Sequence, residues 1–142
     1  MDTRTLTDKY HVSPQISRED AATLHEAGYR LVICNRPDSE VPPALQADVI
    51  GAAVTATGMD FAVLPLTHQT MNAENILKQA ELVANAGGKV LAYCASGTRC
   101  TVVWALGAVS ELGVDAVLER AAEAGYDLSG LRPTLVALSE RS

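Results

Sequence analysis

Apolar residues along this 142-residue chain follow two alternating patterns, short continuous runs and stripes at helical spacing. "YHV" (10–12), "RLVICN" (30–35), "FAVLPL" (61–66) and "KVLAY" (89–93) are runs bounded by glycine, proline or polar residues, as expected of strands buried on both faces of a parallel sheet. Pro65 cannot donate to a ladder, so the third run belongs at an edge or a strand end. Between the runs lie helix signals. Ser17 with Asp20 three residues later predicts a helix start, continuing through Ala27 to a stop at Gly28. The prolines of "RPDSEVPP" (36–43) enforce a loop, and Pro43 opens a helix running to about Thr57. Asn72 caps a third helix, whose Ile76, Leu77, Ala80, Val83 and Ala84 form one apolar face. Val102, Val103, Leu106, Val109 and Leu112 mark a fourth, and two short helices follow over 114–124 and 132–139. The alternation predicts an α/β fold of three layers, a central mostly parallel four-stranded sheet with helices on both faces, in a single domain spanning 1–142.

The join between the fourth run and the helix after it holds the candidate chemistry, "CASGTRC" (94–100). In an open parallel sheet, ligands gather beyond the carboxyl ends of the strands, and this segment sits between such an end and a helix N-terminus. Successive backbone N–H groups in a tight loop converge on a concavity that suits an anion, and the helix dipole adds to the field. Ala95, Ser96, Gly97, Thr98 and Arg99 form that loop, with Gly97 allowing a left-handed turn. The field that holds an anion also stabilises a thiolate, which makes Cys94 the candidate nucleophile. Arg99 offers a planar fork of donors to an oxyanion.

Composition narrows the partners. A net charge of −6 opposes nucleic acid and anionic membrane, while a small anion still fits locally. The longest apolar stretches, such as "VVWALGAV" (102–109), fall well short of the roughly 20 residues a membrane span needs. "MDTRTLTDKY" lacks a signal-peptide core. Three cysteines without metal-ligand spacing suggest neither a disulfide framework nor a metal site, and no cofactor motif is present, so a reducing cytoplasm is the expected setting.

"HVSPQISREDAATLHEAGYRLVICNRPDSE", "GMDFAVLPLT" and "VLAYCASGTRCTVVWAL" together resemble the phosphatase-like domain family of beta-lactamase-hydrolase-like proteins. That family looks like an offshoot of the dual-specificity phosphatase fold and is also described as a rhodanese-like sulfur transferase, in some cases fused to a persulfide dioxygenase. The resemblance implies a cysteine-phosphatase-like fold, Cys94 as nucleophile, the backbone from Ala95 to Arg99 as oxyanion cradle, and Arg99 as clamp. It also implies a persulfide dioxygenase as a partner. "NRPD" (35–38) resembles the family's second signature, which brings Asn35 and Arg36 towards the same mouth.

Two departures from the cysteine phosphatases favour sulfur chemistry. Those enzymes place five residues between cysteine and arginine, whereas Cys94 and Arg99 enclose 95–98, and Cys100 stands where the arginine belongs. The shorter spacing is similar to single-domain rhodaneses. Where a dual-specificity phosphatase carries its acidic aspartate this chain has His68, and sulfur transfer needs no acid for an alkoxide leaving group. The favoured expectation is therefore a sulfurtransferase working through a Cys94 persulfide on a small anionic or persulfide substrate. The alternatives are a phosphatase using the same thiolate on a phosphomonoester or phosphoprotein, and an inactive anion-binding or docking module. His68 and Cys100 join Asn35 and Arg36 as possible lining residues. Cys34 reads as core, and Asp38 and Glu40 as solvated loop residues.

Overall fold

In a computed structural model, residues 1–141 are described, and they form a five-stranded sheet covered by helices on both faces. The strands are β1 (Arg4–Thr5), β2 (Tyr10–Ser13), β3 (Tyr29–Cys34), β4 (Asp60–Val63) and β5 (Lys89–Tyr93), in the order β1-β2-β5-β3-β4. All pairings are parallel except β1 with β2. The fifth strand corrects the expected count of four. β1 has only two residues and no apolar run to announce it. It forms because the Thr7 hydroxyl accepts the N–H groups of Lys9 and Tyr10, folding the chain back on β2, while buried Leu6 anchors the turn. β4 lies at the sheet edge, as Pro65 just beyond it requires.

The helices are α1 (Ala21–Glu26), α2 (Ala47–Ala56), α3 (Ala73–Asn85), α4 (Thr98–Leu112), α5 (Val114–Glu123) and α6 (Arg132–Glu140). Strand alternation divides the core between two faces. Leu31, Ile33, Val90 and Ala92 face the α4–α5–α6 side, whereas Tyr29, Val32, Leu91 and Tyr93 face α1 and α2. The same alternation carries past Tyr93 and delivers Cys94 to the α4 side.

The expected apolar face of α3 is displaced. Leu77 is 59% exposed, and Ala80 and Ala84 are also exposed, while Gln79 is the helix's buried residue. Hydrogen bonds override the apolar pattern here. Gln79 exchanges two bonds with Asn35, at 3.0 and 2.9 Å, and donates to the Tyr10 hydroxyl at 3.1 Å. A buried amide satisfied on both sides can occupy the centre of a packing face. The Tyr10 hydroxyl in turn donates to the Cys100 carbonyl at 2.8 Å, so the network braces the first turn of α4.

Candidate active site

The chain leaves β5 at Tyr93, turns through 94–97 and enters α4 at Thr98. Gly97 adopts φ +92° as the residue preceding the helix. A Cβ there would collide with the Tyr126 hydroxyl, so conformation and space both demand glycine. The Tyr126 hydroxyl donates to the Ser96 carbonyl at 3.0 Å, and the Thr101 hydroxyl donates to the Gly97 carbonyl at 2.8 Å. Turning these carbonyls outwards leaves loop N–H groups for the concave side. The Gly97 N–H donates to Cys94 Sγ at 3.1 Å.

Cys94 is 1% exposed, and burial alone would raise a thiol's pKa. Instead the Cys94 pKa is lowered to about 5, chiefly by the hydrogen bond from the Cys100 side chain, with the backbone N–H groups of Cys100, Gly97 and Arg99 adding to it against the opposing effect of burial. Cys94 is consequently a thiolate at neutral pH. Cys100 moves the other way. Its burial, followed by its proximity to the Cys94 anion, pushes its own thiol well above the ordinary value, so it remains a protonated donor. Cys100, expected only as a possible lining residue, thus sits against the Cys94 sulfur as a protonated thiol.

Arg99 reaches back across the mouth and is fixed by Glu40. Its Nη1 donates to Glu40 Oε2 at 2.8 Å and to the Leu66 carbonyl at 3.0 Å, and its Nη2 donates to Glu40 Oε1 at 2.7 Å. The fork carries five protons, so Nε and the second Nη2 proton remain for an anion. Glu40 also accepts from Arg36 Nε at 3.2 Å, and the two arginines, Arg99 first, hold its carboxyl below the ordinary range. Arg36 further donates to the Gln15 side chain at 3.2 Å. Glu40 is the functional residue that sequence reasoning missed. Its acidic loop suggests only solvation, yet it is the partner that orients the candidate clamp. Asp38 is also engaged, accepting the Ala47 N–H at 2.8 Å at the start of α2.

The other expected residues separate. Ala95, Ser96 and Thr98 stand exposed around the loop, with Ser96 and Thr98 hydroxyls 2.8 Å apart. His68 is exposed and lines a cavity shared with Glu40, Thr98 and Arg99, which brings it to the mouth. Asn35 does not line the site. It is 0% exposed, with its side chain committed to the Leu64 carbonyl and Gln79, and it ties the ends of β3 and β4 together. Among the described residues, no cluster of His, Cys, Asp or Glu could hold a metal ion, and no helix is long and apolar enough to cross a membrane.

Residues 2–111 match the family model of the beta-lactamase hydrolase-like protein, phosphatase-like domain. The beta-lactamase hydrolase-like protein of Agrobacterium fabrum is 28% identical over 102 residues, covering 72% of this chain and 24% of that protein. The chain thus spans about a quarter of the length of the curated relatives it matches. Among solved structures, a candidate phosphatase of Neisseria meningitidis Z2491 is 29% identical, with a TM-score of 0.86 over 97% of this chain and 99% of that one. TpbA of P. aeruginosa shares the fold at 17% identity, with a TM-score of 0.69 over 100% of this chain and 85% of that one.

Proposed function

The chain belongs to the phosphatase-like domain family of beta-lactamase hydrolase-like proteins, a group with the cysteine-phosphatase fold, and we propose that it hydrolyses phosphate monoesters through Cys94. The observation that carries this reading is a buried thiolate, with a pKa of about 5, at the floor of a loop whose amides point at it. In the proposed reaction Cys94 Sγ attacks phosphorus and the ester P–O bond breaks. Loop amides and the free Arg99 protons hold the non-bridging oxygens, as a preorganised cradle does. His68, on the rim beside Arg99, gives a proton to the departing alcohol. Water then cleaves the S–P bond and releases inorganic phosphate, returning a proton to His68.

This choice replaces sulfur transfer as the leading reading because the matching family model is a phosphatase-like domain and the likeness to the candidate phosphatase of Neisseria meningitidis covers 97% of this chain. Sulfur transfer remains the second reading, favoured by the four-residue span between Cys94 and Arg99. Intact-mass measurement after rapid quenching separates them. A phosphoryl adduct from an aryl phosphate, present in wild type and absent in Cys94→Ser, is expected. A cyanide-labile sulfur adduct from thiosulfate or a persulfide donor, with no phosphoryl adduct, would reverse the order. On the proposed reading His68→Ala slows ester hydrolysis by roughly 10²- to 10⁴-fold when the leaving group is an alkyl alcohol.

A further inference from the structure

Beside the cradle lies a cavity of about 600 Å³ whose surface is mostly apolar, with Thr67, His68, Gln69 and Thr134 also among its lining. Helical spacing explains its position. Residues at i, i+4 and i+8 share a helix face, so Thr98, Val102 and Leu106 descend in line from the loop, with Arg99 at the top of the same side. Val102 and Leu106 are only half-buried, although their periodicity reads as core. Leu131 faces them from the segment before α6, and Met71 from the segment before α3. The charged side chains among the described lining are Glu40 and Arg99, and they are paired with each other.

We propose that this cavity receives the organic part of the substrate, and that the substrate is a phosphate monoester of an uncharged, largely apolar aryl or alkyl alcohol. The assignment rests on the phosphatase reading of the cradle. Continuity supports it, because Thr98 and Arg99 belong to both the cradle and the cavity. The volume falls in the range of small-molecule sites, roughly 300–1,000 Å³. Among the described lining residues Arg99 is already paired with Glu40, and Arg36 is bound to the same carboxylate, so neither guanidinium is left uncommitted for a second phosphate or a carboxylate on the alcohol. A larger cavity of about 750 Å³ lies along β4 and α3, and none of its lining residues belongs to the cradle, so it has no comparable claim on the reacting ester.

Phosphonates that cannot be hydrolysed test the cavity separately from the reaction. Calorimetric titration of wild type with methyl-, butyl-, octyl- and phenylphosphonate should show affinity rising by about two- to fourfold per buried methylene until the cavity is filled. Leu106→Gln and Val102→Thr should flatten that series, with circular dichroism unchanged. A flat series in wild type, a series indifferent to both variants, or tighter binding of a phosphonate bearing a terminal carboxylate would overturn the assignment. Rising affinity without turnover of any ester would retain the cavity and remove the phosphatase reading. Turnover without chain-length dependence would do the reverse, and failure of every phosphonate to bind would remove both.

Discussion

Cys34 and Cys94 stand at the carboxyl ends of neighbouring parallel strands, 2% and 1% exposed, yet the pKa of one is raised and that of the other is lowered to about 5. Register separates them first. Cys34 pairs with Tyr93, so Cys94 lies one residue beyond and on the opposite face of the sheet. The segment after each strand then sets the chemistry. After Cys34 comes a proline-bearing polar loop, and the thiol donates to the Arg36 carbonyl at 3.4 Å, while burial raises its pKa. After Cys94 comes a turn at positive φ leading into a 15-residue helix, and N–H groups meet the sulfur. Similar burial has opposite consequences because at Cys34 desolvation outweighs the contacts with the Tyr93 side chain and the Arg36 backbone that would lower its pKa, whereas at Cys94 the hydrogen bonds to the sulfur outweigh desolvation.

The most severe way to break the comparison is to remove each sulfur in turn. Cys94→Ser should reduce ester turnover by at least roughly 10⁴-fold, as loss of a nucleophile does, with circular dichroism unchanged. Cys34→Ser should leave turnover within a few-fold of wild type. Comparable losses in both variants would mean that the two strand ends are not chemically distinct.

Next in size is the clamp. Arg99→Lys keeps the charge but loses the fork that spans Glu40 and the cradle, and kcat should fall on the order of 10- to 1000-fold. Glu40→Gln should act in the same direction with a smaller effect, because an amide offers one acceptor where the carboxylate offers two. Steady-state kinetics with a small aryl phosphate check both. Wild-type kcat in Arg99→Lys would take the guanidinium out of the reaction.

The cradle was legible in the sequence because it is local: cysteine, glycine and arginine occur within 94–99 at a strand-to-helix junction. The need for Gly97 follows from a rule about backbone conformation, and the place of the loop at a strand's carboxyl end from the periodicity on either side. Glu40 was not legible, since it meets Arg99 across 59 residues from a loop whose acidic composition suggests only solvation. Nor was the role of Asn35, where a motif position near the mouth proved to be a buried tie to Gln79. The apolar count on α3 misled for the same reason, because a polar network outweighed the hydrophobic stripe. Val102 and Leu106 illustrate a further limit. Their spacing is that of a core helix, and only the arrangement of α6 and the segment before α3 leaves them half-open to a cavity.

The smallest expected effect concerns the thiolate itself and the Cys100 sulfhydryl that holds it. The lowered Cys94 pKa means that its anion persists through neutral pH and is lost as pH falls through about 5. The rate of iodoacetamide alkylation at Cys94, followed by peptide mapping, should therefore be level at neutral pH and drop in acid with a midpoint near 5. Cys34, whose pKa is raised, should react slowly until pH exceeds the ordinary thiol range. Cys100→Ala removes the largest stabilising contact on the sulfur and leaves the amide donors in place, so the Cys94 midpoint should move upward, towards but not reaching that of a free thiol near 8.5. Cys100→Ser retains a donor and should restore most of the depression. The sign for stability is the same. A thiol whose folded pKa lies below its unfolded value stabilises the fold fully above the unfolded pKa, and loses that contribution as pH falls to about 5. The denaturant midpoint of wild type relative to Cys94→Ala should therefore rise between pH 5 and pH 8, and the slope should be shallower in Cys100→Ala. An unmoved alkylation midpoint in Cys100→Ala would assign the thiolate to the loop amides alone.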